Sequence, residues 1–376
     1  MRIAYAVNAR IPTEKAHGYQ IMRFLSSLAS LDHEVTLYVP NRDNSIDTDA
    51  FSFYGLPPVF SVRYLRGPRL LRFVRLLGPV AFIADSLFFA YALHKEPSLE
   101  RETPVITRDP VIAWVLGRLG RHVFYNAHAW SKHRQLLRFL LSNVSGVVAN
   151  SSGTARDTSL HTKAPVLTCP NASDPNPYLV SNKNFLRQSL GIPLDAFVCL
   201  YTGHLYTWKG IDTFVQAASL MNDPSMLWLV VGGLESDVER YRALTKETSS
   251  LHFAGYRPKE DIAKYLRAAD ALILPNSACS VESREYTSPL KLFEYLTSGT
   301  PIIASDLPSI RKVVSERSVL FANPDDAESF AQQVTEMRKN PTEALNLAKE
   351  GLCISAKATW EARANDVVGF IQHTLR

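Results

Sequence analysis

The sequence predicts an α/β protein built from two doubly wound domains in tandem. Three observations carry this reading. The chain has 376 residues, about two domains at ~100–200 residues each. Short apolar runs alternate with stretches of helical spacing, as in parallel sheets covered on both faces. The alternation breaks once, at Pro170-Asn171-Ala172-Ser173-Asp174-Pro175-Asn176-Pro177, and then starts again.

In chain order, Ile3 to Val7 reads as a first strand and Tyr19 to Leu31 as a helix, with Ile21, Phe24, Leu25 and Leu28 on one face. Val35 to Val39 is a second strand. Val105 to Thr107, Val123 to Tyr125 and Gly146 to Ala149 are further strands. Beyond the linker, Phe197 to Tyr201 is a strand, Ile211 to Met221 a helix and Met226 to Val231 a strand. Leu251 to Phe253, Ala271 to Leu274 and Pro301 to Ala304 follow as strands. Ligands of such sheets sit at the carboxyl ends of the strands, and two sheets facing each other would enclose a cleft.

Composition narrows the function classes. Hydrophobic residues are 46% and charged residues 20%, enough apolar material for two cores, which excludes a disordered chain. The net charge of +5 allows an anionic ligand or an acidic membrane, and no basic, aromatic-interleaved stretch points to nucleic acid. Cys169, Cys199, Cys279 and Cys353 show no metal or redox spacing and read as buried free thiols of a reducing compartment. The apolar stretch Gly78 to Leu93 is shorter than the ~20 residues of a spanning helix and contains Asp85 and Ser86. A cytoplasmic protein is expected.

The strongest local signal is Tyr286-Thr287-Ser288-Pro289-Leu290-Lys291-Leu292-Phe293-Glu294. Ser288 suits an N-cap and Pro289 a first helical position. The amides of Leu290 and Lys291 would then form an anion site, with the charge of Lys291 added. Glu294, one turn on, can bond a ribose diol. The alternative is a capped amphipathic helix with Lys291 and Glu294 as a surface pair. Tyr201-Thr202-Gly203-His204-Leu205-Tyr206-Thr207-Trp208-Lys209-Gly210 joins a strand to a helix and can bring Lys209 to a diphosphate, and Gly232-Gly233 ends another strand. In the first half, His17-Gly18 opens the first helix, where Gly18 permits close approach of a substrate, and His128 follows a strand. Asp47-Thr48-Asp49 reads as a solvated loop, and His128 and His133 are wrongly spaced for one helical face, so no metal site emerges. There is no Gly-x-Gly-x-x-Gly after the first strand, which argues against a dinucleotide-dependent oxidoreductase.

Together these residues resemble a GT-B glycosyltransferase of the retaining family 4 type. Gly203-His204-Leu205 with Lys209-Gly210, Val230-Val231-Gly232-Gly233, Phe253-Ala254-Gly255-Tyr256, Ala269-Asp270-Ala271-Leu272-Ile273-Leu274-Pro275, Ser288 to Glu294 and Gly299-Thr300-Pro301 carry the resemblance through their order and spacing. It implies an acceptor domain at 1–175, a nucleotide-sugar donor domain at 176–355, and a last helix at 356–376 crossing back to the first domain. It implies that Lys209 and the amides of Leu290 and Lys291 hold the donor diphosphate, with Glu294 on the ribose. Gly232, His204 and Ser288 join this donor site, and Gly255-Tyr256-Arg257 lines the base pocket. Gly18 would lie near the diphosphate and acceptor, and His128 near the transferred sugar; His128 and Glu294 are the expected catalytic groups. The donor is a substrate, and no cofactor or metal is implied. Two positions depart from the family: Tyr286 stands where a Glu is usual, and His204 where an Arg is usual, a loss of charge that Lys291 would offset.

The implied reaction moves a sugar, with retention, from a nucleoside diphosphate to a hydroxyl of a glycan or lipid-linked acceptor of cell-surface polysaccharide synthesis. A nucleotide-sugar epimerase of the same fold and a non-catalytic nucleotide-sugar-binding protein are the alternatives. Residues 63–79 carry Arg63, Arg66, Arg69, Arg72 and Arg75 among Leu65, Leu70, Leu71, Phe73, Leu76 and Leu77. This basic amphipathic segment could lie on an anionic bilayer at the inner face of the membrane, or pack its apolar face on the sheet with arginines in solvent.

Overall fold

The computed structural model describes residues 1–67, 78–128, 134–245 and 248–376. The chain forms two compact units: Met1–Pro170 together with Trp360–Arg376, and Asn171–Thr359.

The first unit holds seven parallel strands: β1 (Arg2–Ala6), β2 (Glu34–Pro40), β3 (Ser61–Leu65), β4 (Val105–Thr107), β5 (Val123–Ala127), β6 (Gly146–Ala149) and β7 (Val166–Thr168). Their order is β3-β2-β1-β4-β5-β6-β7. The order reverses between β1 and β4, the point at which such sheets open a crevice at their carboxyl ends. The helix Ala16–Ser30 follows β1, and Trp360–Thr374 packs against it. Arg363 of that last helix is buried and donates to the carbonyls of Cys169 and Pro170.

The second unit holds six parallel strands: β8 (Phe197–Thr202), β9 (Met226–Val231), β10 (Leu251–Gly255), β11 (Ala271–Leu274), β12 (Ile302–Ser305) and β13 (Leu320–Ala322). Their order, β10-β9-β8-β11-β12-β13, repeats that of the first sheet and reverses between β8 and β11. These strands read as continuous apolar runs because both faces are covered. Val198 and Leu200 enter one core with Leu227, Leu229, Leu272 and Leu274. Cys199 and Tyr201 enter the other with Met226, Trp228, Val230 and Ile273. The period-2 pleat thus feeds two cores from one strand.

Three strands escaped the sequence pattern. β3 is an edge strand with a half-wet face, and β7 and β13 have three residues each. β3 also corrects the expected basic amphipathic segment: Arg63 and Leu65 lie in an edge strand paired with β2. The rest of that segment, 68–77, lies outside the described residues. The cysteine expectation holds by half, since Cys169 and Cys199 are buried while Cys279 and Cys353 are exposed. The apolar stretch after residue 78 forms the helix Pro79–Lys95. Among the described residues no helix is long and apolar enough to cross a membrane.

Candidate functional site

In the second unit, the strands around the switch point end in glycines with left-handed backbone. Gly203 follows β8 at φ +113°, Gly232 follows β9 at +115°, and Gly255 ends β10 at +72°. Their amides stitch the ends together: Gly203 N donates to Val231 O, and Gly232 N to Gly255 O, each at 2.8 Å. A Cβ on Gly232 would press on the Gly203 backbone at 2.6 Å. Close approach excludes a side chain at Gly232, and the positive φ at all three positions favours glycine.

Two lysines sit on this floor. The aliphatic stem of Lys291 runs over Gly203, where a Cβ would lie 3.5 Å from Cδ. Its Nζ is buried, has no hydrogen-bond partner, and lies 3.9 Å from the ring centroid of Tyr201. Tyr201 is held by its hydroxyl, which donates to the carbonyl of His204 at 2.7 Å. Burial, and then the charge of Lys209, hold the Lys291 pKa well below the usual lysine range, while Glu294 acts in the opposite sense. Lys209 lies in the short turn Thr207–Lys209 that leads to Gly210. A Cβ at Gly210 would collide with the carbonyl of Pro275, so the turn is pressed onto the end of β11. Lys209 Nζ stands 5.5 Å and 5.4 Å from the ring centroids of Tyr206 and Trp208. Its pKa is lowered to about 8, by burial, with Glu294 opposing. His204 stacks on Tyr206 at 5.2 Å, and burial with both lysines favours its neutral form.

Glu294 lies on the helix Leu290–Leu296, and its Oε1 is 3.5 Å from Lys259 Nζ. Tyr295 of the same helix accepts from the amide and the hydroxyl of Thr202, at 3.0 and 3.2 Å, which ties the helix to the end of β8. Leu290 and Lys291 form its first turn, where amides have no partner within the helix.

Ser288 corrects the sequence reading. The N-cap position belongs to Pro289, without a side-chain cap. Ser288 is buried, and its hydroxyl and carbonyl instead accept from the amide (3.1 Å) and side chain (2.6 Å) of Asn171. Its role is to anchor the segment entering the unit. Tyr256 and Arg257 follow β10; Tyr256 is exposed, and Arg257 donates to its carbonyl at 2.9 Å. Tyr286 is buried at the end of a π-turn, Glu282–Tyr286.

In the first unit, Arg108 follows β4 at the switch point. It donates to the Tyr5 hydroxyl and to Gln20, both at 2.8 Å, and Asn126 donates to the same hydroxyl at 3.2 Å. His17 and His128 flank this cluster. Burial, then Arg108 and Lys15, lower the His17 pKa to about 4. Burial, then Arg108, Arg363 and His17, hold His128 well below its usual value, and its Nε2 is buried without a partner. Gly18 packs against a side chain of its own unit. The space beside it is filled by the Tyr54 hydroxyl, which a Cβ would strike. That hydroxyl donates to Thr13 O and accepts from Thr13 N, both at 2.8 Å. Gly18 admits a tyrosine of the same unit to the helix start. Sequence reasoning missed Arg108, Tyr5, Tyr201 and Tyr295. The tyrosines read as strand or helix core, and a lone Arg after a three-residue strand gives no pattern. His133 lies outside the described residues. Among the described residues, no group of three His, Cys, Asp or Glu side chains could hold a metal ion.

Two all-parallel, doubly wound units in one chain define a GT-B fold. HepE of Anabaena, solved with UDP, matches 99% of this chain over 100% of its own at TM-score 0.73 and 16% identity, a likeness of fold. Residues 182–352 match the family model Glycosyl transferases group 1. D-inositol 3-phosphate glycosyltransferase of Thermomonospora curvata is 29% identical over 191 residues, 47% of this chain and 42% of the relative. A Bacillus subtilis protein named for glycosyl transfer in teichuronic acid biosynthesis is 26% identical over 155 residues, 41% of this chain and 36% of its own. The chain thus spans under half the length of these curated relatives.

Proposed function

We propose that this protein is a retaining glycosyltransferase that moves a sugar from a nucleoside-diphosphate sugar to a hydroxyl of a glycan or lipid-linked acceptor in cell-surface polysaccharide synthesis. The observation that carries the reading is Lys291. An ammonium buried without an anionic partner is costly in the free protein. The cost makes sense when an anion arrives, and Lys209 beside it supplies a second cation. Two lysines over glycine-ended strands suit a diphosphate, and Glu294 suits the ribose diol. The fold likeness to a UDP-bound protein supports a uridine donor. The teichuronic acid relative supports a polymer acceptor, and a relative named alpha-galactosylglucosyldiacylglycerol synthase supports a lipid one.

In the proposed step, the bond between the anomeric carbon and the diphosphate oxygen breaks. The acceptor oxygen bonds to that carbon on the same face. The acceptor proton leaves with the diphosphate. Negative charge grows on the leaving group, so its stabilisation by Lys209 and Lys291 is the main catalytic contribution. Neutral His128 offers a hydrogen-bonding group to the transferred sugar, and Tyr256 with Arg257 borders the base.

Thermal-shift measurements with UDP, GDP, ADP and TDP test this, with Glu294→Ala as the control. A shift with one nucleotide, lost in the variant, is the expected result. Absence of any shift would overturn the donor site.

A further inference from the structure

The helix Pro79–Lys95 is built inside out. Its polar residues face inward. Asp85 pairs with Arg42, and Ser86 donates to Asp109 at 2.6 Å and accepts from Asn8 at 2.9 Å. Ala81, Phe89, Ala90 and Leu93 are buried beside them. Its outward face is Val80, Phe82, Ile83, Leu87, Phe88 and Tyr91, which are 39–64% exposed. No charged or hydrogen-bonding side chain interrupts that face before Tyr91. A surface helix normally shows the reverse arrangement, and a contiguous exposed apolar face marks an interaction surface.

The charge of the sequence that leads into and through the helix points to the partner; Arg69, Arg72 and Arg75 in it lie outside the described residues. Residues 63–95 contain six Lys and Arg and one acid, Asp85, so this segment holds the whole +5 excess. The remaining residues carry 35 basic and 35 acidic groups. Asp85 is buried against Arg42 and does not offset the surface charge. At the rim, Lys95 lies 5.8 Å over the ring of Tyr91, a snorkelling lysine beside an interfacial aromatic. Arg63, which reaches Glu96 at 3.9 Å, and Arg66 are exposed on and after β3, the strand neighbouring this helix. A second copy docking through the same face would bring two basic rims together, which like charge opposes. An anionic bilayer answers both the apolar face and the charge.

We infer that the outward face of Pro79–Lys95 seats the first unit on an anionic lipid surface, lying on it without crossing. This goes beyond the glycosyl-transfer reading and does not depend on it. Flotation with vesicles of phosphatidylcholine containing about 30% anionic phosphatidylglycerol tests it. The chain should float with these vesicles and far less with pure phosphatidylcholine, and rising salt should weaken the association. Ile83→Glu with Phe88→Glu should lower partitioning about tenfold or more, with the melting temperature and nucleotide shift unchanged. Val80→Ser with Tyr91→Ser, a milder pair, should give a smaller loss. Equal binding to neutral vesicles, or wild-type flotation of the Glu variant, would overturn the inference. So would a concentration-dependent dimer, broken by the Glu variant, in a chain that ignores vesicles. Vesicle binding without nucleotide binding would leave this inference standing and remove the donor reading.

Discussion

The two units share one topology but treat their cations in opposite ways. At the switch point of the first sheet, Arg108 is held by Tyr5 and Gln20, and the two histidines beside it are held neutral. At the switch point of the second, the Lys291 ammonium is buried without a hydrogen-bond partner and Lys209 stands over two aromatic rings, with Glu294 acting on both. A cation held by neutral oxygens keeps its charge but is fixed in place, and here burial and then that charge keep the neighbouring histidines neutral, as groups suited to hydroxyls. A cation left unsatisfied waits for an anion. The fold fixes where a ligand sits, and the satisfaction of charge at that place decides which kind.

The comparison breaks most visibly at Lys291. Lys291→Met should weaken nucleoside-diphosphate binding by about 100-fold, near the ~1.5–3 kcal/mol of a hydrogen bond to a charged group. The same variant should melt at a higher temperature, because a buried unpaired charge is replaced by an apolar side chain. Calorimetric titration and thermal melts check the two halves. A fall in both would make Lys291 a structural residue. In the first unit, Gly18→Ala should cost about 1–3 kcal/mol by overpacking against Tyr54, recovered in part by Tyr54→Phe, with nucleotide affinity unchanged.

Lys209 sharpens the contrast through pH. Its pKa is lowered to about 8, so the ammonium form that binds diphosphate is dominant below that value and lost above it. Affinity should fall as pH rises through ~8, measured by titration at fixed ionic strength. Lys209→Arg should lessen the fall, leaving the part that Lys291, also held below the usual lysine range, contributes. Tyr5→Phe should cost ~1 kcal/mol in melting experiments, by leaving Arg108 and Asn126 without their shared acceptor. The smallest signal is expected at His128. Because its pKa lies well below 6.5, its ring protons should show no titration shift by NMR between pH 6 and 8.

Much of the second unit was legible in the sequence, because strands buried on both faces carry long apolar runs. Ile211–Met221, Met226–Val231 and Ala271–Leu274 begin and end where the pattern places them. The cations Lys209 and Lys291 were legible too, since each follows a strand and a glycine or proline turn. What escaped has physical reasons. β3, β7 and β13 are only partly buried, unlike β4, which is as short as β7 and β13 but buried throughout. Ser288 has the chemistry of a helix cap, but its partner Asn171 is 117 residues away. Gly18 signals close approach without naming the approaching group, and Tyr54 arrives from a separate helix. The inverted helix Pro79–Lys95 is apolar on nearly all sides, so its sequence alone does not say which side meets solvent.

The position of Trp360–Thr374 changes how the chain is to be divided. Because that helix belongs to the first unit, the units are nested and not serial: the second is an insertion between Pro170 and Trp360. Arg363 reaches the carbonyls of Cys169 and Pro170, so the two cut ends of the host lie within one side chain's span. A short linker from Pro170 to Trp360 should therefore release the second unit as a transplantable cassette and leave the first able to close its own sheet. Trimming the last helix, by contrast, would strip the host while leaving the cassette whole.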